Sequence, residues 1–306
     1  MRKVIGIGET ILDIIFRNDK PLAAVPGGSV FNGIISLGRM NVEVCFISEI
    51  GNDKVGSIIK AFMEKNNVKT NYINIFPDGK SPVSLAFLND KSDAEYTFYK
   101  DYPKQRLDVT FPTINEDDIV IFGSFYALNP ALRERMIELL DYAKERKAII
   151  YYDPNFRSTH KYEAMRLTPT IIENLEYADI VRGSDQDFAN MYNLTDINKI
   201  YINKIKFYCP NFLYTTGSND ISLRTSSISK EYQVEPLEAV STIGAGDNFN
   251  AGIIYGMLKY DVRYRNLNNI SEELWDKVIQ CGKDFSTNVC MSFNNSISRE
   301  FAQQYK

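Results

Sequence analysis

Histidine is almost absent from this chain, with His160 the single example among 306 residues. A Ser-His-Asp triad or a histidine-rich metal site must therefore use that one imidazole or not exist. His160 follows an Arg-Ser-Thr segment and reads as a surface residue. Cysteine is scarce too. Cys45, Cys209, Cys281 and Cys290 have no C-x-x-C spacing and are too few to staple a chain this long, so they read as reduced, mostly buried thiols. No apolar run reaches the roughly 18 residues of a spanning helix, and the apolar start is too short for a secretory signal core. The expectation is a cytoplasmic protein with no membrane partner. Positive charge is not in excess either: 35 Lys and Arg stand against 39 Asp and Glu, which gives no footprint for nucleic acid.

What is present is an ordinary globular composition. A hydrophobic fraction of 44% and a charged fraction of 24% allow a sizeable core. No internal repeat or low-complexity linker interrupts the chain, which predicts a single α/β domain over residues 1–306 with a small β lid formed by about 9–17 and 81–100.

In chain order, a strand from Val4 to Gly8 leads into E-T-I-L-D-I-I-F, a second apolar strand with Asp13 stranded among Ile and Leu. A buried acid there is destabilising unless paired, so Asp13 either faces solvent on an edge or binds something. G-I-G-E-T-I lacks the third glycine of a dinucleotide fingerprint and no helix follows, so that reading is set aside. Pro26, Gly27 and Gly28 form a turn into a helix with Asn32 in its first turn, ending near Asn41. Bare backbone beside a side-chain amide can bind polyol hydroxyls, although a plain tight turn explains the glycines equally well. Val83, Leu85 and Phe87 alternate, Asn89 to Asp93 make a turn, and Tyr96 and Phe98 alternate again, the pattern of a hairpin. From Asp118 onward, strands and helices alternate, predicting a mostly parallel sheet with helices on both faces and ligands at the strands' carboxyl ends. D-P-N-F-R, G-S-D-Q-D, T-G-S-N-D and G-A-G-D all fall at such ends.

The stretch Ser241 to Phe249, S-T-I-G-A-G-D-N-F, carries the chemistry. Gly244, Ala245 and Gly246 leave the backbone thin, and Phe249, Ile253 and Met257, with Ile254 and Leu258, mark the buried stripe of a helix. Its N-terminus offers unpaired N–H groups and a positive dipole end to an anion such as a phosphate. Asp247 lies in the same first turn, where that field is expected to keep it ionised. A carboxylate beside an anion hole suits a general base in phosphoryl transfer. The plainer alternative is a strand-to-helix turn with Asp as N-cap.

G-G-S-V-F-N followed by S-L-G-R-M-N, then I-G-N-D-K-V-G, and finally S-T-I-G-A-G-D-N-F-N-A-G, resembles the two signature regions of the PfkB carbohydrate kinases, the ribokinase-like family, in the family's order. The resemblance implies a Rossmann-type sheet with a β lid that also forms a homodimer interface. It implies transfer of the γ-phosphate of ATP, with Mg2+, to a sugar hydroxymethyl group. By the same resemblance Asp247 is the catalytic base and the backbone of Gly244, Ala245 and Gly246 the anion hole. Asp13, Gly27, Gly28, Asn32 and Arg157 look like the sugar-binding set, and Thr215 and Gly217 of T-T-G-S match the nucleotide-contacting T-x-G.

Two departures stand out. The family's N-x-x-E falls on Ser184, at the nucleotide, and Asp187, at the metal, one methylene short of Glu. Ser241 replaces an Asp that helps bind a monovalent cation, which leaves potassium activation doubtful. D-P-N-F-R and F-Y-K-D resemble the fructokinase and 2-keto-3-deoxygluconate kinase branch. An arginine often stands there at the position of Lys100, and a sugar acid would want that bidentate partner. Lysine tilts the expectation toward a neutral ketose such as fructose. A 2-keto-3-deoxygluconate kinase, a nucleoside kinase of the same family, and a sugar- or nucleotide-binding protein with impaired catalysis are the rival readings.

Overall fold

The computed structural model describes residues 2–88, 94–217 and 220–305. The chain opens with β1 (Lys3–Ile7), β2 (Ile11–Arg17), β3 (Lys20–Gly27), α1 (Ser29–Arg39), β4 (Glu43–Gly51) and α2 (Lys54–Lys65). Short strands β5 (Val68–Lys69) and β6 (Ile73–Phe76) precede β7 (Lys80–Leu88) and β8 (Ala94–Asp101). Then come β9 (Ile119–Gly123), α3 (Arg133–Glu145), β10 (Ile149–Asp153), α4 (Ala164–Tyr177), β11 (Ile180–Ser184), α5 (Asp185–Tyr192) and α6 (Ile197–Ile200). The chain closes with β12 (Asn211–Thr215), β13 (Asp220–Arg224), β14 (Ser229–Gln233), α7 (Ala245–Lys259), α8 (Glu272–Cys290) and α9 (Arg299–Gln304).

The main sheet runs β14-β13-β12-β11-β10-β9-β1-β4-β5, with β6 also on β4. It is parallel from β12 through β5, and β13 and β14 add an antiparallel edge. The period-2 alternation of its strands splits the core in two. Ile149 and Tyr151 join the cluster of α1, α2, α7 and α8 on one face; Ile150 and Tyr152 join that of α3, α4 and α5 on the other. This is the mixed α/β architecture that the alternating pattern predicts.

A second, four-stranded sheet has the order β3-β2-β7-β8. β7 and β8 pair as an antiparallel hairpin, with Val83 opposite Tyr99; the turn expected at Asn89 to Asp93 lies outside the described residues. The extra strand β3, invisible in the sequence pattern because its two prolines and two alanines mask any alternation, returns the chain from β2 to Gly27 and Gly28. Gly28 adopts φ 136° as N-cap of α1, and a Cβ there would run into the Glu9 carbonyl; only glycine turns the chain so tightly. Asn41 takes the left-handed conformation just past α1, with φ 58°. All four cysteines are free and buried. His160 is half-buried rather than a plain surface residue, because its ring stacks on Phe125 at 3.7 Å and its Nδ1 lies 3.2 Å from Glu163.

Candidate active site

Two helix N-termini meet at the carboxyl ends of the main sheet's strands. Gly244, with φ 79°, caps α7, a left-handed conformation suited to glycine, so Asp247 falls inside the helix's first turn and is not its N-cap. Its side chain instead crosses to α1. Asn32 Nδ2 donates to Asp247 Oδ2 at 2.8 Å and Ser29 Oγ donates to Oδ1 at 3.1 Å. Ser29 in turn accepts from Asn155 Nδ2 at 2.6 Å. The carboxylate is thereby held in one orientation between two positive helix ends.

Burial acts against that field. It is the largest influence on Asp247 and moves its pKa upward, while Asn32, Arg157, Ser29 and Arg182 pull the other way. The helix-tip field on which the sequence reading relied to keep Asp247 ionised is therefore opposed by desolvation of the carboxylate.

Asp13 projects from β2, an inner strand of the second sheet, and is 9% exposed. Ser84 Oγ from β7 donates to Asp13 Oδ1. Gly27 sits against its carboxylate, and a Cβ there would run into Asp13 Oδ2 and crowd Asn295 Nδ2 at 3.1 Å. Burial drives the Asp13 pKa from its usual 3.8 up to about 6, aided by the charges of Asp247 and Glu9 and opposed by Ser84 and Arg157. The buried acid is thus not on an edge, and among the described residues it has no ion-pair partner and the nearby buried Asn295 Oδ1 has no hydrogen-bond partner. A buried amide oxygen without a hydrogen bond is an unfavourable arrangement that a hydrogen-bonding group would relieve.

A stability consequence follows. The folded chain retains a proton on Asp13 that the unfolded chain releases between about pH 4 and pH 6, so this group weakens the fold as pH rises through that window and by a constant amount above it. Asp13→Asn is expected to stabilise the ligand-free protein at pH 7.5 by about 1–3 kcal/mol, with the gain vanishing as pH approaches 4. Thermal melts of the two proteins at both pH values check this, and a lower melting temperature for the variant at pH 7.5 would refute it.

Arg157 is exposed just beyond β10, within reach of both acids' fields. Other expected positions are engaged differently. Ser184 and Asp187 form a capping box on α5: Asp187 accepts from Ser184 N and Oγ at 2.7 Å each and from Phe156 N at 2.7 Å. Thr215 Oγ1 accepts from Arg182 Nη2 at 2.6 Å. Gly217 adopts φ 55°, and a Cβ there would meet nothing within 4 Å among the described residues. Ser241 is buried, and its Oγ accepts from Ile243 N at 3.2 Å, so it brings no charge to that loop.

Beneath the α7 tip lies a group that the sequence reading missed. Arg182 of β11 is buried, with Nη1 3.3 Å from Asp153 Oδ2 and its guanidinium against Gly246. Asn250 Nδ2 donates to the same Asp153 oxygen at 2.6 Å. Burial pushes the Asp153 carboxyl up and Arg182 opposes it. Asn250 lies three residues after Asp247, on the same face of α7.

A model of the pfkB family carbohydrate kinases matches residues 1–286. The chain belongs to that family. A fructokinase of Rhizobium leguminosarum bv. trifolii is 27% identical over 84% of this chain and 80% of its own length. Fructokinase-2 of Solanum lycopersicum is 22% identical over 82% and 80%. In fold, this kinase is similar to a fructokinase double mutant of Vibrio cholerae O395 with fructose, ADP and potassium ion bound, with a TM-score of 0.82 at 18% identity over 96% of this chain and 94% of that one. A Xylella fastidiosa fructokinase with bound ATP gives the same TM-score, 0.82 at 18% identity, over 99% and 98%. The PfkB chain is accordingly an ATP-binding carbohydrate kinase, a phosphotransferase acting on a sugar alcohol group, in a ribokinase-like fold. No helix among the described residues is long and apolar enough to cross a membrane.

Proposed function

We propose that this kinase phosphorylates a hydroxymethyl group of a small neutral sugar, a ketose such as fructose, with Asp247 as general base. The observation that carries the reading is the pair of hydrogen bonds from Asn32 and Ser29 to Asp247. They hold a buried carboxylate between the tips of α1 and α7, which supports a sugar seated against Asp13 and the bare backbone of Gly27 and Gly28. A sugar whose hydroxyls donate to Asp13 and accept from Asn295 Nδ2 would present a terminal hydroxyl to Asp247. The backbone N–H groups of Gly244 and Gly246 would then stabilise charge developing on the transferred phosphoryl group, whereas the N–H of Ala245, expected to share that role, already donates to the Thr242 carbonyl at 3.2 Å. Arg157, exposed at the mouth, is suited to the phosphate end, and Thr215 and Gly217 to the nucleotide.

Mg2+ enters this scheme with the nucleotide. Among the described residues no three acids or other ligating side chains form a metal cage. That suits an ion that keeps most of its waters and is held chiefly by substrate phosphates. Asp187, whose oxygens already accept three hydrogen bonds, fits contact through a water better than direct ligation. The second sheet leaves Leu22, Phe87 and Tyr99 exposed, an apolar face that supports a homodimer through it.

The test is ADP release from ATP and magnesium across a panel of ketoses, aldoses, sugar acids and nucleosides. The proposal expects the highest kcat/KM with a neutral ketose. Preference for a nucleoside or a sugar acid would replace the substrate assignment. Sugar-dependent thermal stabilisation with no turnover for any compound would identify a binding protein instead.

A further inference from the structure

The geometry points to Glu9 as the residue that closes the sugar site to anionic substrates. Glu9 occupies the junction between β1 of the main sheet and β2 of the second sheet, with its carbonyl against Gly28. Gly28 adjoins Gly27, which lies against the Asp13 carboxylate, so the Glu9 backbone borders the same site. The side chain is gripped from the far strand of the second sheet: Lys100 Nζ on β8 donates to Oε2 at 2.7 Å, and Tyr102 Oη donates to Oε1 at 2.6 Å. Tyr102 is itself fixed, with the Arg106 guanidinium 3.7 Å from its ring centroid and Phe76 at 6.0 Å.

A half-exposed ion pair of this kind adds little to stability, so fold maintenance does not account for so complete a set of partners. Its electrostatic effect on a ligand is larger. Lys100 is a cation that the second sheet brings to Glu9, and Glu9 neutralises it. A substrate carboxylate arriving there meets Glu9 and Asp13 as like charges and must displace Glu9 to reach Lys100. A neutral polyol instead finds carboxylate oxygens that accept from its hydroxyls. Discrimination thus comes from a repulsive group as well as an attractive one, and it selects neutral polyhydroxylic sugars over sugar acids. This inference rests on the sugar-kinase reading above.

The experiment compares the full-length protein, Glu9→Gln and Glu9→Gln/Lys100→Met, each with fructose and with 2-keto-3-deoxygluconate. Glutamine keeps the length and an acceptor for Tyr102 while releasing the charge of Lys100. The expected result is a shift of at least about tenfold in the ratio of kcat/KM, acid over neutral, for Glu9→Gln. It should arise mainly through KM for the acid, shrink at high salt and disappear in the double variant. A merely structural Glu9 would lower both activities together and leave the ratio unmoved, which would overturn the proposal. So would a gain that survives Lys100→Met, or a wild-type protein that already uses both sugars equally. Calorimetric titration of the acid separates this from failure of the kinase reading. If no sugar is turned over, tighter binding of the acid to Glu9→Gln than to wild type still supports the gate, and equal binding refutes it.

Discussion

Asp247→Asn is expected to lower kcat by about 100- to 10,000-fold, the range a positioned general base supplies, while leaving fold and sugar affinity close to wild type. The isostere suits its surroundings. Its amide oxygen can accept from Asn32 Nδ2, and its NH2 can face Ser29, whose hydroxyl is free to rotate and accept. What disappears is the ability to take the proton from the attacking alcohol. Because the base works only when ionised, the wild-type rate should rise with pH along an acid limb. Burial, the main influence on Asp247, moves that limb above the usual carboxylate range. The variant should retain a small residual rate without that limb, since the backbone donors of Gly244 and Gly246 at the α7 tip remain. Initial-rate pH profiles of both proteins, with circular dichroism as a control on folding, decide the matter. A variant with more than a tenth of the wild-type rate and the same acid limb would remove Asp247 from the role of base.

The contrast between what the sequence revealed and what it hid has a physical pattern. The alternation of the hairpin, the succession of apolar strands and helices, and the glycines before helices were readable because each reflects a local constraint, and so the hairpin, the main sheet and the tips of α1 and α7 could be placed. Asp13 was legible as an acid stranded in an apolar strand. The same signal was present at Arg182, a charge inside I-V-R-G-S, and went unused because no local partner announced it. Its partners Asp153 and Thr215 come from neighbouring strands, 29 and 33 residues away, so only the strand order brings them together. Asn155 and Ser29 were hidden for the same reason: their bond links positions 126 residues apart. Asp187 shows the opposite case. Its place in the motif was visible, but its capping box could be recognised only once Ser184 was seen to be an N-cap.

Arg182→Met should be the most destabilising single change near the site, at about 3–5 kcal/mol, the usual loss when one partner of a buried ion pair is removed. Asp153 sits at 2% exposure and would lose its cation while its oxygens still accept from Asn250 and from Asn155 N. Those two bonds cannot offset an uncompensated buried charge, so the carboxyl should bind a proton at neutral pH. Stability of the variant should then improve as pH falls toward 5, opposite in direction to an ordinary acid-labile protein. The double variant Arg182→Met/Asp153→Asn should recover a large part of the loss, because the stranded charge is gone. Activity should not recover with it. The guanidinium fills the space beside Gly246, and the pair braces Asn250 on the face of α7 that carries Asp247, so the helix tip loses its fixed position even when the fold is restored. Urea unfolding at pH 5 and 7.5, together with kcat of the single and double variants, distinguishes these effects. A single variant within 1 kcal/mol of wild type, or a double variant with full activity, would show that the ion pair beneath the helix tip supports neither fold nor site.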